Sequence, residues 1–566
     1  MRVCRDDPKP TPAIGSTPLP LLPNLPMIES AAHAEAIAVK PIGPLSGHLR
    51  GTSRRDFLWT GGTSFATGLL SPVLIGLGVN KVRGESRTNM QGHDGARSIG
   101  VPRAPYQSAA PLIAPEVRRS VSGELRTTMR VRYAYKDIGG YRLHLRSYEG
   151  SIPGPTIRVH AGDVLRIRLI NDLPPNQDPV PVDMMLPHHF NTTNFHFHGL
   201  HVSPEGLSDN IFRSMAPGQS YEIETTIPRD HTRGTYWYHP HHHGSADVQI
   251  TGGMAGALIV EGDFDDIPEI SSSVDRVLIL NEVLFDHRGT IETYDTVWPE
   301  AVPRFLSVNG QREPAIRMQP GEVQRWRIIH AGHENNLHIA LEKHILHVIA
   351  FDGIRRSQVG HFQSLLMAPG QRADVLVQAG AIGTYAFRAI ANDQGYLSPV
   401  GALAQIIVEG EPLPMPLPAT LGTGPLAAIR DEEVTNTRHL TLSVDQPEFP
   451  PAANYQEFRF LVCGRTFDPN RVDQRIPLGA VEEWTVVNEH EDDHVFHIHT
   501  NPFQIVAING EKLADRDWRD SVVVPRKGSV TFRSRFLDFT GRFVHHCHMM
   551  NHEELGMMQV VEVYAS

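Results

Sequence analysis

Phe543-Val-His-His-Cys547-His-Met-Met-Asn-His552-Glu-Glu-Leu-Gly-Met557 combines three kinds of metal-binding side chain in one short stretch of the sequence. A thiolate, an imidazole five residues later and a thioether five residues beyond that are three of the ligands of a blue-copper site, which takes two histidines, one cysteine and a weakly bound methionine. If residues 543–548 form a strand, their side chains alternate between its two faces. Cys547 then faces one metal ion, whereas His546 and His548 face together to the opposite side.

The missing imidazoles lie in three other segments of the chain. These segments are His494-Val-Phe-His497-Ile-His499, Asn194-Phe-His196-Phe-His198 and Trp237-Tyr-His239-Pro-His241. Residues two apart on a strand share a face, so each His-x-His pair presents two rings together. Once His494 and His552 are assigned to the blue-copper site, eight histidines remain in four pairs. They are His196, His198, His239, His241, His497, His499, His546 and His548. This number of imidazoles suits a cluster of three copper ions.

The four motifs, in this order, resemble those of the three-domain multicopper oxidases, the laccase family, in its bacterial type. The resemblance runs from about residue 107 to the end of the sequence, and the ending His-Cys-His-x3-His-x4-Met makes it specific. It implies four copper ions, one in a blue mononuclear site with Met557 as axial ligand and three in a trinuclear cluster. It also implies that electrons pass through Cys547 to His546 and His548. One alternative stays open, because His242 or His243 could replace His241 if the strand has a bulge.

Two acidic residues near the predicted ligands are candidates for delivering protons. Glu553 follows His552 in a position that resembles the acidic proton donor of bacterial members, and the alternative is a solvated loop carboxylate. Asp209 comes shortly after the His196/His198 pair, as an acid does in the family, although the loop here is two residues longer. The resemblance therefore leaves open whether Asp209 lies next to the ligands.

The sequence repeats itself beyond residue 107. Gly162, Gly321 and Gly479 each precede an acidic or small residue, a valine and alternating apolar positions, and they lie 159 and 158 residues apart. Two further markers recur in the same order, which indicates three copies of a domain of common size. Within each copy, short alternating apolar runs are separated by Pro, Gly and Asn-Asp signals, a pattern typical of a Greek-key β-sandwich.

We therefore predict an all-β protein with three consecutive cupredoxin-like Greek-key β-sandwich domains, preceded by an export leader. The predicted segments are a signal region and connector at 1–106, domain 1 at 107–263, domain 2 at 264–411, a Pro-rich linker at 412–429 and domain 3 at 430–566. The middle copy lacks the ligand pairs, since Arg388 stands where the outer copies carry His239 and His546. Copper chemistry is therefore expected between domains 1 and 3.

An export signal is predicted at Ser53-Arg-Arg-Asp-Phe-Leu58. Twin arginines before an apolar run resemble a Tat signal, which implies the Tat machinery as a partner and a periplasmic or secreted protein. The alternative is a basic patch before a transmembrane helix. The apolar run to about Val79 is only marginally long enough to span a membrane and is rich in glycine, which favours export.

The net charge and composition of the sequence limit the classes of partner that the protein is expected to bind. The 566 residues carry a formal net charge of -11, with 20% charged residues, so a nucleic-acid partner is not indicated. The resemblance implies O2 and a small-molecule or metal-ion reductant as partners, and we expect a monomer.

The leading function hypothesis is an exported laccase-like oxidase of phenols, aromatic amines or reduced metal ions, which reduces O2 to water. A cuprous oxidase for copper tolerance is the nearest alternative. The third domain carries no methionine between Met415 and Met549, whereas members with that role often have Met-rich inserts there. A non-catalytic copper-binding cupredoxin scaffold is the alternative from another class. A two-domain nitrite reductase is disfavoured by the third domain and the complete set of histidine pairs.

Overall fold

The computed structural model describes residues 101–298, 304–446 and 454–565. The predicted export signal at residues 53–58 and the apolar run after it lie outside the described residues. Among the described residues, no helix has the length and apolar character needed to cross a lipid bilayer.

The first third of the described chain forms nine strands and one short helix. The strands are β1 (Val117–Arg119), β2 (Glu124–Ile138), β3 (Tyr141–Tyr148), β4 (Thr156–Val159), β5 (Val164–Asn171), β6 (His196–His198), β7 (Ser220–Thr226), β8 (Gly234–His239) and β9 (Gly256–Val260), with helix α1 (Ala246–Thr251) between the last two. They make a five-stranded sheet in the order β1-β4-β9-β8-β6 and a four-stranded sheet in the order β3-β2-β5-β7.

The middle third forms two sheets as well. Its elements are α2 (Pro268–Ser271), β10 (Val274–Val283), β11 (Phe305–Val308), β12 (Ala315–Met318), β13 (Val323–His330), β14 (Leu337–Leu341), β15 (Leu346–Phe351), β16 (Ile354–Phe362), β17 (Ser364–Met367), β18 (Arg372–Gln378), β19 (Gly383–Ile390) and β20 (Gly401–Val408). The sheet orders are β11-β10-β13-β18-β15-β16 and β12-β20-β19-β14-β17.

The last third repeats the arrangement. Its elements are β21 (Asn436–Asp445), β22 (Arg459–Val462), β23 (Val472–Pro477), β24 (Ala480–Asn488), β25 (His494–Ile498), β26 (Phe503–Ile508), β27 (Glu511–Lys512), β28 (Trp518–Arg519), β29 (Ser521–Val524), β30 (Ser529–Phe536), β31 (Gly541–Cys547), α3 (Met550–Glu554) and β32 (Met558–Tyr564). One sheet has the order β22-β21-β24-β30-β26-β27, with β28 paired to β26, and the other has the order β23-β32-β31-β25-β29.

Alternation along the strands explains why these sheets pack in pairs. In β5, Leu165, Ile167 and Leu169 are buried, while Arg166 and Arg168 on the other face are not. Such strands present one apolar face to a core and one polar face to water. Each pair of sheets encloses an apolar core, and the core of the last pair continues into buried residues of the other two domains, such as Leu143 and Phe285. The predicted all-β fold of three β-sandwiches is confirmed.

Several strands depart from this alternation, and the four strands that carry predicted ligands, β6, β8, β25 and β31, are among them. Every residue of β8 is buried, and so is every residue of β31 except Arg542. A strand that is buried on both faces is covered by its own sandwich on one side and by other parts of the protein on the second. Strands β8 and β31 therefore place their histidines at a boundary between domains.

Candidate metal centre

Strand pairing brings the His-x-His motifs together within each outer domain. In domain 1, β6 runs antiparallel to β8 and His196 lies directly opposite His239. In domain 3, β25 runs antiparallel to β31 and His497 lies directly opposite His546. Directly opposed residues on antiparallel strands bring their side chains within reach of one another. Motifs that are distant in sequence thus become neighbouring sets of rings.

The two sets then meet across the boundary between domains 1 and 3. The Nε2 atoms of His241 and His546 are 3.1 Å apart. Nδ1 of His198 lies 3.1 Å from Nε2 of His548. All eight histidines of the four pairs are at least 98% buried. Each outer domain therefore supplies half of one enclosed set of donors.

Within this set, the ring nitrogens form three groups close enough to hold metal ions. The groups are His198, His239 and His548; His241, His499 and His546; and His196, His198 and His497, with the donor atoms of each group within 4.8 Å of one another. Neutral imidazole is the ligand form that a metal binds, and burial is the largest cause that lowers the pKa of rings such as His196 and His548 well below the usual range. These rings are therefore neutral, and each has a nitrogen lone pair that can bind a metal ion.

Hydrogen bonds on the far side of the rings fix which nitrogen points inward. Nδ1 of His239 donates to the carbonyl oxygen of Pro240 at 2.9 Å, and Nδ1 of His497 donates to that of Asp520 at 2.8 Å. Nε2 of His196 and Nε2 of His497 are then left buried without a hydrogen-bond partner. A buried polar atom without a partner is costly, so these orphaned nitrogens fit a group of bound cations.

A fourth group lies on the other side of β31. The Cys547 sulfur is 3.6 Å from Nδ1 of His494 and 3.6 Å from Nδ1 of His552, and the two nitrogens are 2.9 Å apart. Met557 is buried next to this group, because its backbone bonds to Cys547 and to His552 at 2.9 Å each. Two imidazoles, one thiolate and a thioether form the donor set that copper prefers among the first-row metals.

The protonation of Cys547 gives a second reason to expect a cation here. Burial raises the pKa of the Cys547 thiol to about 12, although the hydrogen bond from the backbone N–H of Val495 opposes this rise. A thiol of this kind stays protonated at neutral pH unless a positive charge lies beside it. A bound metal ion supplies that charge and deprotonates a coordinating thiol.

The alternation predicted for residues 546–548 is observed. Cys547 lies with His494 and His552, while His546 and His548 belong to the two groups on the opposite side. Residues 546–548, at the end of β31, therefore connect the cysteine group to two of the groups of three histidines by a few covalent bonds.

Glu553 lies between the two domains rather than in solvent. Its carboxylate is 2.9 Å from Nδ1 of His546 and 3.3 Å from Nδ1 of His241, and it is 1% exposed. Burial alone would raise its pKa, but His241 and His546 outweigh burial and lower the pKa to about 2. Glu553 is thus a buried carboxylate that lies beside one predicted ligand from each outer domain.

Asp209 lies directly behind His196, another predicted ligand. Its carboxylate oxygens are 3.0 and 3.1 Å from Nδ1 of His196, and one of them accepts the backbone N–H of Phe197 at 2.9 Å. Burial raises the pKa of Asp209 to about 8, against the hydrogen bond from Phe197. The longer loop therefore still brings this acid to the site.

His242 and His243 do not take the place of His241. Nδ1 of His242 lies 3.3 Å from the hydroxyl of Ser245, and the His243 ring packs against Phe467 with 5.0 Å between ring centres. The ring of His241 is the one that faces His546 and His499. The backbone at this motif therefore follows the register that the resemblance implies.

Sequence reasoning missed an ion pair that supports the site from the middle domain. Arg372 is fully buried and donates two hydrogen bonds to the carboxylate of Asp520, at 2.8 and 2.5 Å. The same carboxylate lies 3.1 Å from Nε2 of His198, and its residue accepts from His497 through the backbone. An aspartate before a short strand is an ordinary turn residue, so nothing in the sequence singles out Asp520. The middle domain has no predicted ligand pairs, but through this arginine it positions two predicted ligands of the outer domains.

Gly199, which follows the first His-x-His pair, leaves room for that ion pair. Its φ is +80°, and a Cβ there would lie 2.3 Å from Nη2 of Arg372 and 2.3 Å from Oδ2 of Asp520. Any side chain at this position would push the ion pair away from His198.

Arg372→Lys is expected to lower the copper content while the blue colour persists. Lysine keeps the charge but loses the planar fork that bonds both oxygens of Asp520, so His198 and His497 lose their fixed orientation. The cysteine group has no contact with this ion pair. The measurement is metal content by mass spectrometry together with the visible spectrum.

Arg325→Lys is the matched control for that substitution. Arg325 is another buried arginine of the middle domain, but it pairs with Asp263 and Asp374 away from the histidine groups. The Arg325→Lys variant should keep the full copper content. Full copper content in Arg372→Lys would show that the ion pair does not position the ligands.

Comparison with known proteins identifies the same regions. Sequence models of multicopper oxidase domains match residues 131–264, 281–411 and 435–566, which together make up more than half of the chain. The chain is 25% identical to a laccase of Bacillus stratosphericus over 472 residues, which is 74% of this chain and 90% of the laccase. It is 26% identical to the cell division protein FtsP of Escherichia coli (strain K12) over 433 residues, which is 73% of this chain and 84% of FtsP.

Solved structures share the fold. A multicopper oxidase from Campylobacter jejuni, described as a metallo-oxidase, aligns with a TM-score of 0.70 at 24% identity, covering 82% of this chain and 98% of that chain. The matched domains coincide with the three β-sandwiches, and the groups of buried histidines suit copper. The chain therefore belongs to the multicopper oxidase family of three-domain, laccase-like oxidoreductases, which use O2.

Proposed function

We propose that the chain is an exported laccase-like oxidase with four copper ions, which couples one-electron oxidation of phenols, aromatic amines or reduced metal ions to four-electron reduction of O2 to water. The observation that carries this proposal is the position of Cys547, between His546 and His548 in sequence and on the opposite face in space. A donor set that suits a blue copper is thereby joined directly to the histidine groups that suit a trinuclear cluster.

The positions of His552 and Cys547 indicate how electrons would enter the cysteine group and leave it towards the histidine groups. Copper, when bound, would supply the redox chemistry by taking single electrons from the donor and giving four to O2. Of the two imidazoles in the cysteine group, His552 is 5% exposed and His494 is fully buried, so His552 is the edge nearest to solvent. Phe460 stacks on His552 with 4.1 Å between ring centres and holds that ring in place. Cys547 then provides the covalent route to His546 and His548.

Reduction of O2 to water also consumes protons, and two buried carboxyl groups stand beside the ligands. Asp209 is protonated at neutral pH because burial raises its pKa to about 8, so it can give up a proton at its carboxyl oxygen. Glu553 is ionised at neutral pH and its carboxylate lies within ion-pair distance of His241 and His546, so it stabilises the orientation of these two rings. We assign proton delivery to Asp209 and a positioning role to Glu553.

Asp209→Asn is expected to slow O2 reduction by about 100-fold, the usual contribution of a positioned general acid. Since the raised pKa keeps Asp209 protonated below about pH 8, the wild-type rate should fall as pH rises through 8, and the variant should lose this dependence. The blue band should stay, because Asp209 does not contact the cysteine group. The measurement is oxygen uptake as a function of pH.

Asp172→Asn serves as the control, because Asp172 is an exposed aspartate of the same domain that pairs with Arg130. It should leave both the rate and the pH profile unchanged. An unaltered rate and profile in Asp209→Asn would remove Asp209 from proton delivery.

The donor is proposed to be organic rather than Cu(I). The methionines that flank the cysteine-group ligands in sequence, Met549, Met550, Met557 and Met558, are at least 99% buried, so these four offer no exposed thioether for a cuprous ion. The similarity to a laccase points in the same direction. Oxygen uptake should therefore show a higher kcat/KM with a phenol such as 2,6-dimethoxyphenol than with Cu(I). A higher value with Cu(I) would instead assign the chain to copper tolerance.

A non-catalytic scaffold is the second candidate, because the chain is similar to a cell division protein over most of its length. The complete donor groups argue against it, since a scaffold has no need for eight converging imidazoles and a buried thiol. Oxygen uptake by the copper-loaded protein separates the two, as a scaffold would consume none. We further propose Tat-dependent export on Ser53–Leu58 to the periplasm or medium, and a monomeric enzyme.

A further inference from the structure

A pair of histidines lies at the edge of the middle domain, where no metal ligand was predicted. His347 on β15 and His361 on β16 are directly opposite each other on antiparallel strands. Strand β16 is the last strand of its sheet, so the His361 ring is exposed, while the His347 ring is half-buried. The two Nδ1 atoms are 2.8 Å apart and the ring planes are 85° apart.

The copper groups of the same protein provide an internal comparison for this pair. Among the described histidines, the other contacts between two ring nitrogens all occur inside the predicted copper groups. Their distances are 2.9 Å for His494–His552, 3.1 Å for His241–His546 and His198–His548, 3.3 Å for His499–His546 and 3.4 Å for His198–His239. The pair His347–His361 therefore has the nitrogen spacing that this chain otherwise shows only between converging ligands.

This spacing also matches simple coordination geometry. Imidazole nitrogens bind divalent transition metals at about 2.0 Å, so two of them at a right angle are about 2.8 Å apart. A right angle between neighbouring ligands is typical of the square-planar or tetragonal sites of Cu(II) and Ni(II).

Nothing else near the two rings accounts for their orientation. Within the described part of the chain, neither ring contacts a carboxylate or a carbonyl oxygen, whereas the nearby His344 bonds the carbonyl of Glu342 and the backbone N–H of Gly380. On its other side, His347 is paired with Leu376, which is buried and apolar.

We propose that His347 and His361 form a metal site separate from the oxidase centre. It takes a divalent transition ion that prefers imidazole, with Cu(II) bound more tightly than Ni(II) or Zn(II), and water completes the coordination. The site is independent of the proposed oxidase activity, because it lies in the domain that contributes none of the predicted copper ligands.

Equilibrium dialysis against Ni(II) tests this site, on copper-loaded protein from which a chelator has first removed the exposed copper. Wild type should take up one more equivalent of Ni(II) than His361→Ala or His347→Ala. His361 is exposed on an edge strand, so its substitution should leave the melting temperature and the blue band unchanged. His344→Ala is the matched control, since the same change three residues from His347 removes an imidazole that already has its own hydrogen bonds, and it should retain the extra equivalent.

Equal Ni(II) uptake by wild type, His347→Ala and His361→Ala would overturn the proposal. The two rings would then form only a hydrogen bond with each other. Loss of the extra equivalent in His344→Ala as well would equally contradict the assignment, because the binding would then not depend on the opposed pair. Oxygen uptake and the blue band report on the oxidase centre separately, so failure of that proposal would leave this result unaffected.

Discussion

Cys547→Ser is expected to abolish the blue colour and to lower oxidase turnover by at least about a thousandfold, which corresponds to about 4 kcal/mol of barrier. The blue colour depends on a bond between copper and a thiolate, and a serine hydroxyl does not replace that soft ligand. Turnover falls for a second reason, because Cys547 provides the covalent connection to His546 and His548. The measurement is the visible absorption spectrum together with oxygen uptake in the presence of a phenol.

The fold should survive this substitution, so the result is interpretable. Cys547 contributes one small side chain to a core that also contains Trp484, Phe496 and Phe543. The circular dichroism spectrum should match that of wild type, and the histidine groups on the other face of β31 should still bind copper. A blue band that persists in Cys547→Ser would place the thiolate site elsewhere and contradict the account.

His198→Ala should have an effect of similar size by a different route. His198 belongs to two of the three histidine groups, since Nδ1 lies 3.1 Å from Nε2 of His548 and 3.4 Å from Nε2 of His239. Removing this shared donor should lower the copper content and slow O2 reduction about a thousandfold, equivalent to about 4 kcal/mol. The blue band should remain, because His198 does not contact the cysteine group.

A two-step experiment separates the oxidation of the phenol from the reduction of O2. A phenol added without oxygen should bleach the blue band of His198→Ala at the wild-type rate, whereas oxygen added afterwards should restore the colour only very slowly. His201→Ala is the control, since His201 lies three residues away but bonds the carbonyl of Thr500 and the carboxylate of Asp538. Rapid recovery of colour in His198→Ala would mean that O2 reacts without the histidine groups.

The sequence predicted the parts of the site that local geometry determines. Alternation along a strand is enough to separate Cys547 from His546 and His548, and the His-x-His spacing is enough to pair the rings. The same reasoning predicted the three β-sandwiches, because the alternating runs recur in three copies. The position of Asp209 was left open, since a loop of changed length has no fixed geometry until the fold is known.

The support from the middle domain could not be predicted in the same way. Arg372 and Asp520 are 148 residues apart, and each looks like an ordinary polar residue in its own segment. Their meeting depends on how three domains pack, which is a tertiary property without a local pattern. The opposed pair His347 and His361 depends likewise on the register of β15 and β16. The absence of ligand pairs in the middle domain correctly indicated where copper chemistry is not expected, but it gave no sign that Arg372 of that domain reaches the outer ligands.

Metal analysis of the purified, copper-loaded protein tests the central claim most directly. Once a chelator has removed exposed copper, the donor groups at the boundary between domains 1 and 3, with the cysteine group on the other face of β31, predict about four copper ions per chain and a strong blue band. Oxygen uptake should begin when a phenol is added to the same sample. A chain that binds one copper or none and consumes no oxygen would contradict the account.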